Sequence, residues 1–200
     1  MNDQSTKVIE ENNEDVPGCY PVKCDVAPLL MKVPSTDIAI QWALAFLGCT
    51  RQMVTKPALV LDIDGTILLN KENGGARCVL HFGSLVRACV NNGITIFCVT
   101  ARPEEKENRE YTEAQLQKCS IQPVAKVFMR PPDTEYAKYK YSARRQIEES
   151  GYAILLTIGD QFADIALSDA PDEINDSDTY VGQLSDRMQF GIKLPSEFAN

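Results

Sequence analysis

The stretch Ala58-Leu59-Val60-Leu61-Asp62-Ile63-Asp64-Gly65-Thr66 is an apolar strand that ends in two carboxylates one residue apart. Side chains alternate along a strand, so Asp62 and Asp64 are expected to point the same way at its end. Two like charges that close are costly unless a cation or a shared proton separates them. Gly65 can adopt a turn that lets both leave the sheet toward a ligand, and Thr66 adds a hydroxyl. The pattern suits a divalent metal and a nucleophile. A strand followed by an ordinary Asp-Gly turn would look the same over this stretch, and the rest of the chain has to separate the two readings.

Outward from this stretch the chain alternates strand and helix. Residues 78–92 read as a helix that stops near Gly93, and Ile94 to Val99 as a second strand. Residues 104–118 form a polar amphipathic helix, 124–129 a third strand, 134–150 a helix, and 153–158 a fourth strand. Strands that are apolar on both faces and alternate with helices imply a parallel sheet covered on both sides. The expected fold is therefore α/β: a Rossmann-like three-layer α/β/α arrangement around a central parallel sheet. The segment from Ile67 to Arg77, which includes Asn73-Gly74-Gly75, is too short for a cap domain, so the cap is minimal or absent.

The flanks divide the chain further. Residues 1–16 are a polar, acidic tail of disordered composition. Residues 17–56 form an N-terminal arm, with four prolines before residue 35, and a helix that starts at Ser35-Thr36-Asp37. That helix is apolar almost all round, as expected of one that is buried or lies between subunits. Residues 57–200 are the core. The end, Gly191 to Pro195, is expected to pack back on it.

Two hundred residues and a hydrophobic fraction of 44% suit one globular domain. The formal charge of −8 is uneven: residues 1–15 hold five acids and one lysine, residues 169–178 five acids and no base, and the remainder is nearly neutral. That balance disfavours a dedicated nucleic-acid binder. No stretch is apolar enough to span a bilayer, and the first residues lack the apolar core of a signal peptide, so a cytoplasmic location and no membrane partner are expected. The seven cysteines are scattered, with Cys89 and Cys98 inside apolar runs as buried thiols are. The absence of a C-x-x-C pair and the single histidine argue against structural zinc. Cys19 and Cys24 could pair in an oxidising compartment, but nothing else in the sequence suggests one. His81, early in a helix, reads as structural or solvent-facing, and Trp42 as core or interface.

In open α/β sheets the chemistry gathers at the carboxyl ends of the strands. The first strand delivers Asp62 and Asp64 there. The second delivers Thr100, then Ala101 and Arg102. The fourth delivers Gly159, Asp160 and Asp164, whose i,i+4 spacing puts both carboxylates on one face of a helical turn. In the helix over 134–150, Ala137, Lys140, Arg144 and Ile147 follow the spacing of an inward stripe. Buried cations need anionic partners, which the aspartates or a bound phosphate would supply. The alternative phase puts Lys140 and Arg144 in solvent, with Tyr136, Tyr141 and Ile147 as the core stripe.

Together, Asp62-Ile63-Asp64-Gly65-Thr66, Thr100-Ala101-Arg102, Lys140 and Gly159-Asp160-Gln161-Phe162-Ala163-Asp164 resemble the four motifs of the haloacid dehalogenase (HAD) superfamily of phosphohydrolases. Lys140-Tyr141-Ser142-Ala143-Arg144, the Gly-Asp-Gln start of the fourth motif and Ile192-Lys193-Leu194-Pro195 are similar to the acid phosphatase branch, subfamily IIIB. The resemblance covers roughly residues 35–195. It implies a Mg²⁺-dependent phosphomonoester hydrolase in which Asp62 attacks phosphorus and becomes an aspartyl phosphate. Asp64 would act as general acid and then base, Thr100 would hydrogen-bond the transferring group, and Lys140 would neutralise charge. Thr100, Ala101, Arg102 and Arg144 would contact substrate, with Arg102 and Arg144 equally readable as structural salt bridges. Asp160 and Asp164 would hold Mg²⁺ with the Asp62 carboxylate and the Asp64 carbonyl.

The resemblance leaves the phosphorylated substrate open between a small molecule and a macromolecule. An uncapped site could also borrow cover from a second subunit, as in a homodimer. A polynucleotide end phosphatase or protein phosphatase of the same fold, and a non-catalytic storage or binding protein, remain alternatives. Relatives in this branch often carry a secretion signal, whereas this sequence reads without one, and Ala101 stands where many have glycine.

Overall fold

A computed structural model describes residues 29–70, 75–165, 179–183 and 189–195. The acidic tail, most of the arm, Cys19 and Cys24, Asn73-Gly74 and the acidic stretch 169–178 lie outside the described residues. In chain order the elements are β1 (Leu29–Val33), α1 (Thr36–Thr50), β2 (Pro57–Leu61), β3 (Leu68–Asn70), β4 (Ala76–Cys78), α2 (Leu80–Asn91) and β5 (Thr95–Pro103). They continue with α3 (Lys106–Lys118), β6 (Lys126–Arg130), α4 (Tyr136–Glu149), β7 (Ala153–Gly159), α5 (Phe162–Ile165), β8 (Thr179–Gln183) and β9 (Phe190–Lys193).

Seven strands form one sheet in the order β1-β8-β9-β7-β2-β5-β6. The five from β9 to β6 are parallel, and β8 and β1 extend that sheet antiparallel at one edge. The α/β expectation thus holds. The arm supplies β1, a strand the sequence reading did not place, paired Leu29 to Gln183 through Val33 to Thr179.

Period-2 alternation builds the two cores. On one face Leu59, Leu61, Ile96, Cys98, Val127, Met129, Leu156 and Ile158 pack with the apolar sides of α1 and α2. On the other, Ala58, Val60, Phe97, Val99, Phe128 and Ile154 meet Tyr139, Ala143 and Ile147 of α4. Each fully buried Leu or Ile contributes about 2 kcal/mol, so both faces must be covered. Trp42 packs against the first cluster. His81 lies in the open, 3.2 Å from Asp37.

Three boundaries differ from the sequence reading in a way that bears on the site. β2 stops at Leu61, so both aspartates lie beyond it. β5 runs on to Pro103 and carries Thr100, Ala101 and Arg102 as strand residues. Cys78 is in β4 rather than in a helix, and is disulfide-bonded to Cys119, the residue that caps α3. Cys49 is disulfide-bonded too, while Cys89 and Cys98 are free and buried. Disulfides of this kind persist most readily in oxidising surroundings. Among the described residues no helix is long and apolar enough to cross a membrane. Between β2 and α2 they hold the hairpin β3–β4 and no larger insertion.

Candidate active site

The parallel order switches direction at β2, because β5 and β6 follow to one side of it and β7 and β9 to the other. Such a switch point opens a crevice at the carboxyl ends of the strands. Asp62 leaves β2, Thr100 sits in β5 and Asp160 follows β7, so three neighbouring strands deliver to one place.

The turn after β2 separates the two carboxylates of the first motif. The Asp62 N–H still donates to Ile158 O at 2.9 Å, continuing the sheet. The Ile63 carbonyl then accepts from the N–H groups of Ile67 and Leu68, both at 2.9 Å, and the chain folds back. Gly65 takes φ +80° there, and a Cβ on it would overlap the Asp160 carboxylate. A side chain at this position is therefore excluded both by conformation and by space. Gly159 is held to glycine by space alone, since its Cβ would overlap Asp164. The expected shared direction of Asp62 and Asp64 gives way to two environments: Asp62 turns into the buried crevice, and Asp64 turns toward Arg102.

Asp62, Asp160 and Asp164 are all buried, and each offers a carboxylate oxygen within 4.8 Å of the others. Lys140, 1% exposed, lies among them. Its ammonium contacts the Asp62 carboxylate, lies 2.7 Å from Asp164 Oδ1, and donates to Val99 O at 2.7 Å. This fixes the phase of α4: the inward stripe holds Ala137, Lys140, Arg144 and Ile147, and the solvent-facing alternative is excluded. Arg144 donates to the carbonyls of Ala163 at 3.0 Å and Asp164 at 2.5 Å, gripping the turn that carries Asp164. Its guanidinium faces backbone there, as a structural contact does.

Burial and the nearby Asp164 push the Asp62 carboxyl up to about 8 against the pull of Lys140, and burial with Asp164 pushes Asp160 up to about 6. Burial alone would lower Lys140, but Asp164 and Asp62 outweigh it and hold the ammonium above its ordinary value. Burial is the larger cause of both shifts, and the crowding of carboxylates adds to it. Three carboxylates against one ammonium leave a formal charge of −2, which one divalent cation would balance. Hard cations of this kind prefer oxygen donors, and the donor set here is all oxygen, so the cluster could hold a divalent metal.

Thr100 is 1% exposed, and its hydroxyl accepts from the Arg102 N–H at 3.3 Å. The Ala101 carbonyl is taken by Arg130 Nε at 3.1 Å. Arg102 forms a fork on Asp64, with Nε to Oδ2 at 2.8 Å and a terminal nitrogen to Oδ1 at 2.6 Å. The structure therefore brings Asp62, Lys140, Asp160 and Asp164 into one buried cluster, and pairs Asp64 with Arg102 at its rim.

Residues the sequence reading passed over also serve the cluster. Tyr136 donates its hydroxyl to Asp164 Oδ1 at 3.2 Å. Gln161 donates its backbone N–H to Asp164 at 3.0 Å and its side-chain amide to Asp160 at 3.1 Å. Gln161 stood inside the fourth motif and could have been found there. Tyr136 stood in the alternative apolar stripe of that helix, which gave no sign of its bond to Asp164.

The model of the HAD superfamily, subfamily IIIB (acid phosphatase), matches residues 71–195. That span holds Thr100, Lys140, Asp160 and Asp164 and begins after Asp62 and Asp64. No curated protein matches the sequence. Among solved structures, the class C acid phosphatase from Bacillus anthracis is similar at a TM-score of 0.53 and 19% identity, covering 64% of this chain and 62% of that one. The chain thus spans less than two thirds of that structure's length, and at this identity the likeness is one of fold.

Proposed function

Since the chain belongs to subfamily IIIB of the HAD superfamily, the acid phosphatase subfamily, we propose that it hydrolyses phosphomonoesters with Mg²⁺ through a phosphorylated Asp62. The observation that carries the reading is the buried cluster in which Lys140 spans Asp62 and Asp164 beside Asp160. A fold-stabilising role alone would not collect three buried carboxylates around one ammonium, because unpaired buried charge is costly.

In this reading the Asp62 carboxylate attacks phosphorus, splitting one hard displacement into two easier ones. Lys140 holds the nucleophile in place and offsets charge on the incoming phosphoryl oxygens. Thr100, in β5, hydrogen-bonds the transferring group. Asp64 protonates the departing oxygen and later takes a proton from the water that releases phosphate. Asp160 and Asp164, with the Asp62 carboxylate and the Asp64 carbonyl, would hold Mg²⁺. The metal would supply the positive charge that lets an anionic nucleophile approach an anionic phosphate. Arg144, by gripping the Ala163 and Asp164 carbonyls, fixes the ligand turn.

The test is release of p-nitrophenol from p-nitrophenyl phosphate with Mg²⁺ and with EDTA. Turnover that needs Mg²⁺, and is lost in Asp62→Asn with the fold intact, supports the reading. Equal turnover in EDTA, or full activity in Asp62→Asn, overturns it.

A further inference from the structure

Arg102 has partners for most of its guanidinium N–H groups. Two of its N–H groups form the fork on Asp64. Two more, on one terminal nitrogen, reach Thr112 Oγ1 at 2.9 Å and Gln115 Oε1 at 2.6 Å, both on α3. A guanidinium has five N–H donors, so four are engaged. A bidentate grip on a substrate phosphate would need two parallel donors, and Arg102 has no such pair left. The side chain is 17% exposed, whereas Asp64 is 41% exposed and faces outward.

Asp64 and Arg102 also line a pocket of about 310 Å³. One wall is the hairpin β3–β4, which contributes Asn70. The other is α3, which contributes Asn108, Tyr111 and Gln115. The pocket opens beside the cluster on the side where Asp64 lies. A group that exchanges protons with the leaving oxygen and with the attacking water must be held toward that space. A carboxylate on a turn has two free torsions, and among the described residues the fork from Arg102 is what fixes the plane of its oxygens.

We propose that Arg102 is a positioning residue, anchored from behind by Thr112 and Gln115, that sets the Asp64 carboxylate toward this pocket for proton transfer, and that it does not bind the substrate phosphate. This rests on the phosphatase reading above. In the step that depends on it most, a water oxygen bonds to phosphorus and the bond from Asp62 to phosphorus breaks. The water's proton passes to Asp64, and phosphate leaves. A p-nitrophenyl leaving group needs no acid, so phosphorylation of Asp62 by that ester proceeds without a well-placed Asp64, and hydrolysis of the phosphoenzyme does not.

The experiment is stopped-flow release of p-nitrophenol with Mg²⁺, on wild type, Arg102→Ala, Arg102→Lys and the double variant Thr112→Val/Gln115→Ala, with inhibition by inorganic phosphate measured in parallel. In Arg102→Ala a burst approaching one equivalent per site is expected, followed by a steady rate about 100-fold below wild type. The phosphate inhibition constant is expected to stay within about 2-fold, as for a residue outside the phosphate contact. Arg102→Lys keeps the charge without the fork and should also burst. The double variant leaves the reacting groups and Arg102 in place, and should shift the same way to a smaller degree, which keeps the test available if Arg102→Ala fails to fold. A rise in KM and in the phosphate inhibition constant without a burst would make Arg102 a phosphate ligand. A uniform slowing without a burst would make it merely structural. Either result overturns the proposal. A folded wild type inert with Mg²⁺ would instead overturn the phosphatase reading, and the proposal with it.

Discussion

Removing the Cys78–Cys119 disulfide should cost this protein much of its stability. The two residues are 41 positions apart, and the bond closes a loop of that length in the unfolded chain. Chain-entropy arithmetic for such a loop gives about 13 cal/mol/K, or about 4 kcal/mol at 25 °C. Domains of this kind are stable by about 5–15 kcal/mol, so the loss is a large share of the total. For a chain of this size it should lower the melting temperature by roughly 8–16 °C. The perturbation is the double substitution Cys78→Ala/Cys119→Ala, which leaves Cys49, Cys89 and Cys98 untouched. The assay is urea unfolding at equilibrium, followed by circular dichroism, together with thermal melts. The slope with urea should change as well, because the cross-link limits how far the unfolded chain expands. A double variant that unfolds within about 1 kcal/mol of wild type would show that the cross-link carries no such weight, a result engineered disulfides often give. The same experiment bears on surroundings: a protein that depends on this bond fits an oxidising compartment better than a reducing one.

Four further outcomes follow from the site. Lys140→Met should lower kcat by about 100-fold or more, as loss of a preorganised charge does, and should destabilise the fold by roughly 3–5 kcal/mol because it leaves buried carboxylates without their cation; steady-state kinetics and urea unfolding check the two parts. Asp160→Asn should shift the Mg²⁺ titration of activity to higher concentration and lower the maximal rate, and an unchanged titration would move the metal elsewhere. Mg²⁺ should raise the melting temperature of wild type, and this gain should vanish with EDTA. Gly65→Ala, which forces a Cβ toward the Asp160 carboxylate at φ +80°, should cost more than the roughly 1 kcal/mol of an ordinary strained position and lower activity with it.

The sheet was legible because its signal is local. Apolar side chains at period two in 58–61, 95–99 and 153–158 pack on both faces of a parallel sheet, and the polar residues just beyond them mark the functional edge. Asp62 and Asp160 each follow directly from a strand end, and Thr100 lies within β5 beside them. The antiparallel strands β1 and β8 were not legible. Leu29–Val33 is a short run, and what makes it a strand is a partner some 150 residues away in the chain. The phase of α4 was open for a different reason. Tyr136 and Tyr141 offered a second apolar stripe at helical spacing, and only the position of the aspartates shows that Lys140 and Arg144 have partners inside. The Cys78–Cys119 bond had no spacing motif to announce it. The ties from Arg102 to Thr112 and Gln115 were hidden in a helix whose composition reads as ordinary solvated surface. Asp62 and Asp64 diverge because the Ile63 carbonyl captures two N–H groups of the returning chain, a feature of the turn that strand alternation does not contain.

The central claim is that Asp62 carries the phosphoryl group during turnover, and the most direct measurement is chemical. Asp64→Asn is mixed with radiolabelled phosphomonoester and Mg²⁺, quenched in acid within the first turnover, digested, and the labelled peptide sequenced by mass spectrometry. The account predicts label on the peptide containing Asp62, stable to acid and released by neutral hydroxylamine as an acyl phosphate is, and no label in Asp62→Asn. Hydrolysis that proceeds while Asp62 never acquires the label would contradict it.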